Sequence, residues 1–338
     1  MAEDFKDPRD VEWHPRRRLS LVGHENAEQK LLKVHQSDRL HHAWLLAGNK
    51  GIGKATLAYR FARFLLARPD DRRDGLNVDA GSQAAHWIAT GAHPDLLVIE
   101  RGVDFKAKKI KTGIAVDDAR IVPEFFARTS AGGGYRVAVV DATDDLNAPS
   151  ANALLKIIEE PPEKSVFLLV SHNPGALLRT IRSRCIRLDM QPLTEGETLS
   201  VLQDLPPVAG EPEDKLRQAA SLSQGSPGRA FDLVGSKGAQ IFSRLQSNMR
   251  FPPAKVAEIA LSFGARETAE DFAVFCDLFV NWMGEQARAR ALGGGGAEMA
   301  KAHDEIVYSL RQADALNLDR RQTVADALLK LDEALKAS

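Results

Sequence analysis

The segment Gly48-Asn49-Lys50-Gly51-Ile52-Gly53-Lys54-Ala55-Thr56 has the residue types and spacing of a phosphate cradle. Glycines at 48, 51 and 53 let consecutive backbone amides turn inward on phosphate oxygens, and the lysine after the last one reaches the β- and γ-phosphates. A G-x-x-x-x-G-K string arises by chance about once in ten chains of this length, so its surroundings decide. A wholly apolar run, Ala43 to Ala47, stands before it, and a helical pattern from 55 to 67 follows. One position departs. The residue after Lys54 should carry the hydroxyl that ligates Mg²⁺, and it is Ala55. Thr56 lies about 100° further round the helix and is a poor substitute. Phosphate binding survives this departure; metal-assisted hydrolysis is weakened by it.

Asp141 closes the apolar run VAVV at 137–140. An aspartate there is where a P-loop protein holds magnesium through water. Hydrolytic members often follow it with a glutamate that orients the attacking water, but the next residue is Ala142. Asp144 and Asp145 would substitute only with a rearranged backbone, and an aspartate that merely caps the next turn is an equal alternative. In TIRSRC (180–185), Arg184 could stabilise transition-state charge on a phosphate in a neighbouring site; the alternative is a basic segment solvating a sheet edge. Lys106, Lys108, Lys109 and Lys111 form the densest basic stretch. They could neutralise nucleic-acid phosphates, though a solvated hairpin is the favoured reading.

These residues need a scaffold, and the hydrophobic pattern supplies one. Short apolar runs at 43–47, 96–99, 137–140, 166–170 and, more weakly, 185–188 read as strands, with helices expected at 25–36, 55–67, 115–127 and 149–160. Pro161-Pro162 ends the last of these, since proline lacks the amide a helix needs. Buried strands alternating with helices indicate a parallel sheet covered on both faces. After about residue 190 the strand-like runs stop. Helices are then expected at 194–204, 211–223, 226–235, 237–246, 252–263, 266–291, 297–315 and 319–336, broken by proline or glycine clusters that include 293–296.

Composition narrows the function. Lys plus Arg number 45 and Asp plus Glu 46, for a net charge of −1 among 338 residues. Bulk charge therefore does not coat nucleic acid. Two cysteines, Cys185 and Cys276, argue against a disulfide framework. No run approaches the ~20 apolar residues of a membrane span. The first residues, MAEDFKDPRD, are acidic and lack the apolar core of a secretory signal. A cytoplasmic protein is expected.

ANALLKIIEEPP (151–162), VFLLVSHNP (166–174) and TIRSRC (180–185), with LVGHENAEQKL and HHAWLLAGNKGIGKATLAYRFARFLL nearer the amino terminus, resemble the bacterial sliding-clamp loader subunits of DNA polymerase III, in the AAA+ superfamily. ALNLDRRQTVADALL, near the carboxyl end, resembles the last collar helices of such subunits. The resemblance implies a RecA-like α/β AAA+ domain over 1–190, a helical lid over 191–238 and an all-α collar over 239–338. It points to the stator of the loader rather than its motor, a subunit not catalytic alone. The implied partners are gamma/tau and delta subunits and, through the complex, the sliding clamp and primed DNA, with no membrane. Arg184 is then an arginine finger in trans to a gamma/tau ATP site. Gly48, Gly51, Gly53, Lys54, Ala55, Thr56, Asp141 and Arg229 form a nucleotide site that could be vestigial, Arg229 lying in a sensor-2-like turn, Gly225-Ser226-Pro227-Gly228-Arg229. Ser171-His172-Asn173 falls at sensor 1, and Pro15, Arg16 and Val22 border the adenine pocket. ATP would be the ligand, with Mg²⁺ only alongside it. The competing reading is an ATP-hydrolysing, gamma-like motor. Related subunits carry a four-cysteine zinc module before a His-Pro-Asp motif. Here His93-Pro94-Asp95 is present but 68–92 holds no cysteine, and His86 with His93 cannot close a tetrahedral site. No zinc is expected, and a packing helix near 82–89 takes the module's place.

Overall fold

Apolar runs too short and too uniformly hydrophobic to be surface strands become the middle of a parallel sheet. The computed structural model describes residues 7–37, 39–130, 133–246, 250–263, 269–292, 296–316 and 318–337. Residues 1–6 of the amino-terminal arm, the expected helical residues 266–268 and the expected break at 293–295 lie outside the described residues. The chain divides into two compact units, residues 1–212 with 223–230, and 213–222 with 231–338.

The first unit runs α1 (Glu25–Gln36), β1 (Ala43–Ala47), α2 (Lys54–Leu66), α3 (Gln83–Thr90), β2 (Leu96–Glu100), β3 (Val103–Asp104), β4 (Lys109–Ile110), α4 (Val116–Ala127), β5 (Arg136–Asp141), α5 (Ala148–Glu159), β6 (Ser165–Ser171), α6 (Arg179–Arg182), β7 (Ile186–Asp189) and α7 (Glu195–Gln203). Five strands pair in parallel in the order β2-β5-β6-β1-β7, while β3 and β4 form a separate antiparallel hairpin. Successive side chains on a strand point to opposite faces. Trp44, Leu46, Val137, Val139, Leu168 and Val170 accordingly pack with Leu31, Leu57 and Phe61 of α1 and α2. Leu45, Ala138, Val140, Phe167 and Leu169 pack on the other side with Val122 and Phe126 of α4 and Leu154 and Ile158 of α5. Phe167 is fully buried with its ring 4.6 Å from that of Phe126. Truncating such a side chain to alanine typically costs about 3–5 kcal/mol. This is the RecA-like α/β arrangement the sequence led us to expect.

The second unit contains α8 (Glu213–Leu222), α10 (Lys237–Gln246), α11 (Pro253–Leu261), α12 (Ala269–Leu292), α13 (Ala297–Ala315) and α14 (Arg320–Ala337), and the end of α9 (Pro227–Leu233), which starts in the first unit. Its core is aromatic. Phe242, Phe263, Phe275 and Phe279 are almost fully buried, and Phe275 and Phe279 stack with ring centres 5.6 Å apart. α10 and α12 meet backbone to backbone at Gly238, where an added Cβ would lie 2.1 Å from Asp271 O. No strand occurs after β7 among the described residues.

Candidate functional site

Ligands of open α/β sheets bind beyond the carboxyl ends of the strands, and the glycine-rich loop lies there, between Ala47 and the first residue of α2, Lys54. Gly48, Gly51 and Gly53 have φ of 149°, 79° and 107°, the region that favours glycine. Space imposes the same choice. A Cβ would lie 2.5 Å from Met190 O at Gly48, 2.5 Å from Ser226 Oγ at Gly51 and 2.9 Å from Leu21 Cδ1 at Gly53.

The loop's carbonyls are tied down one after another. Lys54 Nζ donates to Gly48 O at 2.7 Å and also to Asn49 O. Ser226 Oγ donates to Lys50 O at 2.8 Å, the Gly228 amide to Gly51 O at 3.0 Å, and His24 Nε2 to Ile52 O at 2.8 Å. Each carbonyl from Gly48 to Ile52 thus has a donor within the chain. Lys54 is only 2% exposed. Burial pulls its ammonium down to about 8, against the attraction of Asp141 and Asp144.

Asp141 ends β5 directly opposite Glu100, the last residue of β2. Burial, and then the charge of Glu100, raise Asp141 to about 6, with Lys54 opposing. Burial raises Glu100 too, although Arg9 Nη1 donates to its carboxylate at 3.2 Å. Asp144 has a different task. Burial disfavours its charge, but the amides of His172 and Asn173, at 2.7 and 2.9 Å, and Ser171 Oγ, at 3.0 Å, outweigh that and hold its carboxyl below the ordinary range. Asp145 pairs with Arg101 at 3.1 Å. Both acids after Ala142 are thus engaged in fixing the ends of strands. His172 is driven down to about 4 by burial and by Lys54.

Arg229 belongs to this cluster. Its backbone nitrogen would be 3.2 Å from a Cβ on Gly51, and its Nη1 donates to Gln224 Oε1 at 3.1 Å. Ala55 and Thr56 occupy the first turn of α2, both half-buried. The amino-terminal arm lies along α2, where Arg63 donates to Arg16 O at 2.8 Å and Arg18 O at 3.2 Å.

Arg184 is not part of the cluster. It precedes β7, and β7 is parallel to β1 with Ile186 opposite Trp44. It therefore stands by the amino ends of the strands, with the length of β1, roughly 16 Å, between its level and the P-loop. Its neighbours are Glu159, paired at 2.7 Å, and Thr180 O, which accepts from Nη1 at 3.0 Å. His41, His42, Glu159, Glu160, Arg184 and Cys185 border a cavity of about 520 Å³ here. Burial pushes the Cys185 thiol up to about 12, which leaves it protonated and unreactive at neutral pH.

The remaining sequence candidates have structural places. Lys106, Lys108, Lys109 and Lys111 are exposed on the β3–β4 hairpin. α3 begins at the N-cap Ser82, whose Oγ accepts from the Ala85 amide, and buries Ala84, Ala85 and Ile88. Asp95 of the His-Pro-Asp motif faces Arg136 at 3.7 Å and accepts from Ser130 Oγ at 3.2 Å, while His93 Nδ1 accepts the Asp95 amide. Among the described residues no group of three or more His, Cys, Asp or Glu is arranged to hold a metal. Four contributors escaped sequence reasoning: Glu100, His24, Ser226 and Glu159. Glu100 carries the same signal as Asp141, an acid closing an apolar run; the others act through contacts distant in sequence.

A family model described as "DNA polymerase III, delta subunit" matches residues 23–194. The DNA polymerase III subunit delta′ of Pseudomonas aeruginosa is 32% identical over 279 residues, 81% of this chain and 81% of that one. The Escherichia coli K12 subunit delta′ is 33% identical over 205 residues, 61% of this chain and 58% of that one. The tau/gamma subunit of Haemophilus influenzae is 29% identical over 245 residues, covering 70% of this chain but 34% of its own length.

Proposed function

Because the chain belongs to the family of DNA polymerase III delta′ subunits, which are clamp-loader components, we propose that it is the stator of a clamp loader and supplies Arg184 in trans to the ATP site of an adjacent gamma/tau subunit. The observation that carries this reading is the placement of Arg184 at the amino end of β7, while the chain's own P-loop follows the carboxyl end of the neighbouring, parallel β1. A cation so placed cannot reach a phosphate held by Gly48–Lys54, but it can reach one on a neighbour. There it would stabilise charge on the transferring phosphoryl group, an effect worth about 10³–10⁵ in rate for arginine fingers.

The chain's own loop supports the same division of labour. Nucleotide phosphates fit the glycine cradle, where Lys54 and Arg229 supply positive charge, and ATP is the ligand it would take. The metal fits less well, since Asp141 is present but position 55 offers no hydroxyl. Ala142 follows Asp141 where a water-orienting glutamate would stand, and Asp144 is occupied by the end of β6. A bound nucleotide would therefore shape the subunit rather than turn over. Residues 191–238 act as the lid and 239–338 as the collar that joins gamma/tau and delta subunits, and the loaded substrates are the sliding clamp and primed DNA. No helix among the described residues is long and apolar enough to cross a membrane, and a cytoplasmic site of action accords with the role.

The test is ATP hydrolysis stimulated by clamp and primed DNA, with this chain reconstituted alongside gamma/tau and delta subunits. The chain alone should be silent, Lys54→Ala mild and Arg184→Ala severe. Robust hydrolysis by the chain alone, indifferent to Arg184, would identify a gamma-like motor instead.

A further inference from the structure

The trans role of Arg184 leaves open how a long, flexible side chain at a surface is presented in one orientation. From the contacts around it we infer that Glu159 is a positioning residue for Arg184, a role that rests on the trans-arginine reading above. Glu159 is the last residue of α5, and Pro161-Pro162 prevents that helix from continuing. Its Oε1 lies 2.7 Å from Arg184 Nη2. On the other side of the guanidinium, Nη1 donates to Thr180 O at 3.0 Å and to Ser183 Oγ at 3.4 Å. The plane is thus held at both terminal nitrogens, by the end of α5 and by α6.

The chemistry of the remaining donors gives this arrangement its meaning. A guanidinium has five N–H groups in a fixed fork. Its hydrogen bonds within the chain draw on Nη1, and Glu159 meets Nη2 as an ion pair, so Nε–H remains to grip a phosphate oxygen. The carboxyl end of α5 adds its partial negative charge near the cation. Arg184 and Glu159 side chains are 37% and 43% exposed. Such a pair is a weak restraint in water, and it acts by reducing the rotamer freedom that engagement with phosphate would otherwise remove. Glu159 touches no reacting atom.

The experiment uses the reconstituted complex and measures kcat and KM for clamp- and DNA-stimulated ATP hydrolysis. Glu159→Ala should lower kcat roughly threefold, the scale of an exposed ion pair, with KM for ATP unchanged. Glu159→Gln, which keeps an acceptor of the same length, should recover part of that loss. In an Arg184→Ala background neither change should have any further effect. A merely structural role for Glu159 would instead lower the rate equally in both backgrounds, and that result overturns the proposal. A rise in kcat for Glu159→Ala also overturns it, because Glu159 would then be restraining Arg184 from its target. If Arg184→Ala is severe and both Glu159 variants match wild type, positioning fails while the trans-arginine reading stands. If Arg184→Ala itself is without effect, that reading fails and the role of Glu159 with it.

Discussion

Replacing Asp141 by asparagine should stabilise the first unit, and by an amount that grows with pH. The carboxylate is half-buried at the end of β5 and faces Glu100, and desolvation together with that charge raises it to about 6. In the unfolded chain an aspartate titrates near 3.9. The folded state thus binds the proton more tightly. Below about pH 4 both states are protonated and the group is neutral to stability. Between about 4 and 6 the unfolded chain ionises first, and the folded state loses ground. Above 6 the cost is complete, about 3 kcal/mol. Asparagine has nearly the same shape and no charge, so it escapes that cost. Glu100 would ionise more easily without its neighbour, adding to the gain, whereas Lys54 would lose an attractive partner, reducing it. A net gain of about 2 kcal/mol at pH 8 follows, falling to nearly zero at pH 4. Urea unfolding of the full chain followed by tryptophan fluorescence would measure it, since Trp13, Trp44 and Trp87 lie in the first unit and only Trp282 in the second. A gain independent of pH, or a loss at pH 8, would refute the reasoning. A measured gain would mark Asp141 as a residue held at the expense of stability, the pattern of functional positions.

Other consequences are open to the same kind of measurement. Ser226→Ala removes the bond to Lys50 O and the cap on the Arg229 amide, and should cost about 1–2 kcal/mol in urea unfolding. Gly228→Ala should cost about 2 kcal/mol or more, because its Cβ would lie 2.9 Å from Gly51 Cα; a smaller loss than for Ser226→Ala would mean the two backbones can separate freely. Gly238→Ala should destabilise the second unit by a similar amount, seen as early loss of helical circular dichroism, since Asp271 O blocks the new methyl group. Deleting residues beyond about 240 should abolish assembly with gamma/tau and delta subunits in size-exclusion chromatography while the α/β domain still folds, and a truncated chain that still enters the complex would count against a collar role.

The parts of the fold that could be read from sequence are those where one residue type repeats locally. VFLLV stands out because β6 is buried on both faces, so no polar residue interrupts it. The strand ending at Asp189 was a weak signal for the opposite reason. It lies at the edge of the sheet, where Arg187 and Asp189 face solvent and pair with each other. The glycine loop was legible because left-handed backbone leaves a fixed signature in glycine. The electrostatics of Asp141 were not, because they depend on a strand register that sets it against Glu100, forty-one positions earlier. The restraints on the loop were hidden in the same way. A serine after a glycine reads as a helix cap, and Ser226 is one, but its hydroxyl also donates to Lys50 O.

That last contact bears on how the protein is made. The first unit is not one continuous stretch, since the chain leaves it after residue 212 and returns for 223–230. Lys50 and its partner Ser226 are separated by 176 positions. At about 5–20 residues added per second, Ser226 is synthesised on the order of 10–35 s after the loop it fastens. By then all five strands of the sheet have been synthesised, so the sheet can assemble while the carbonyls of Lys50 and Gly51 still face water. The nascent chain is thus expected to close its sheet first and to fasten its glycine-rich loop last.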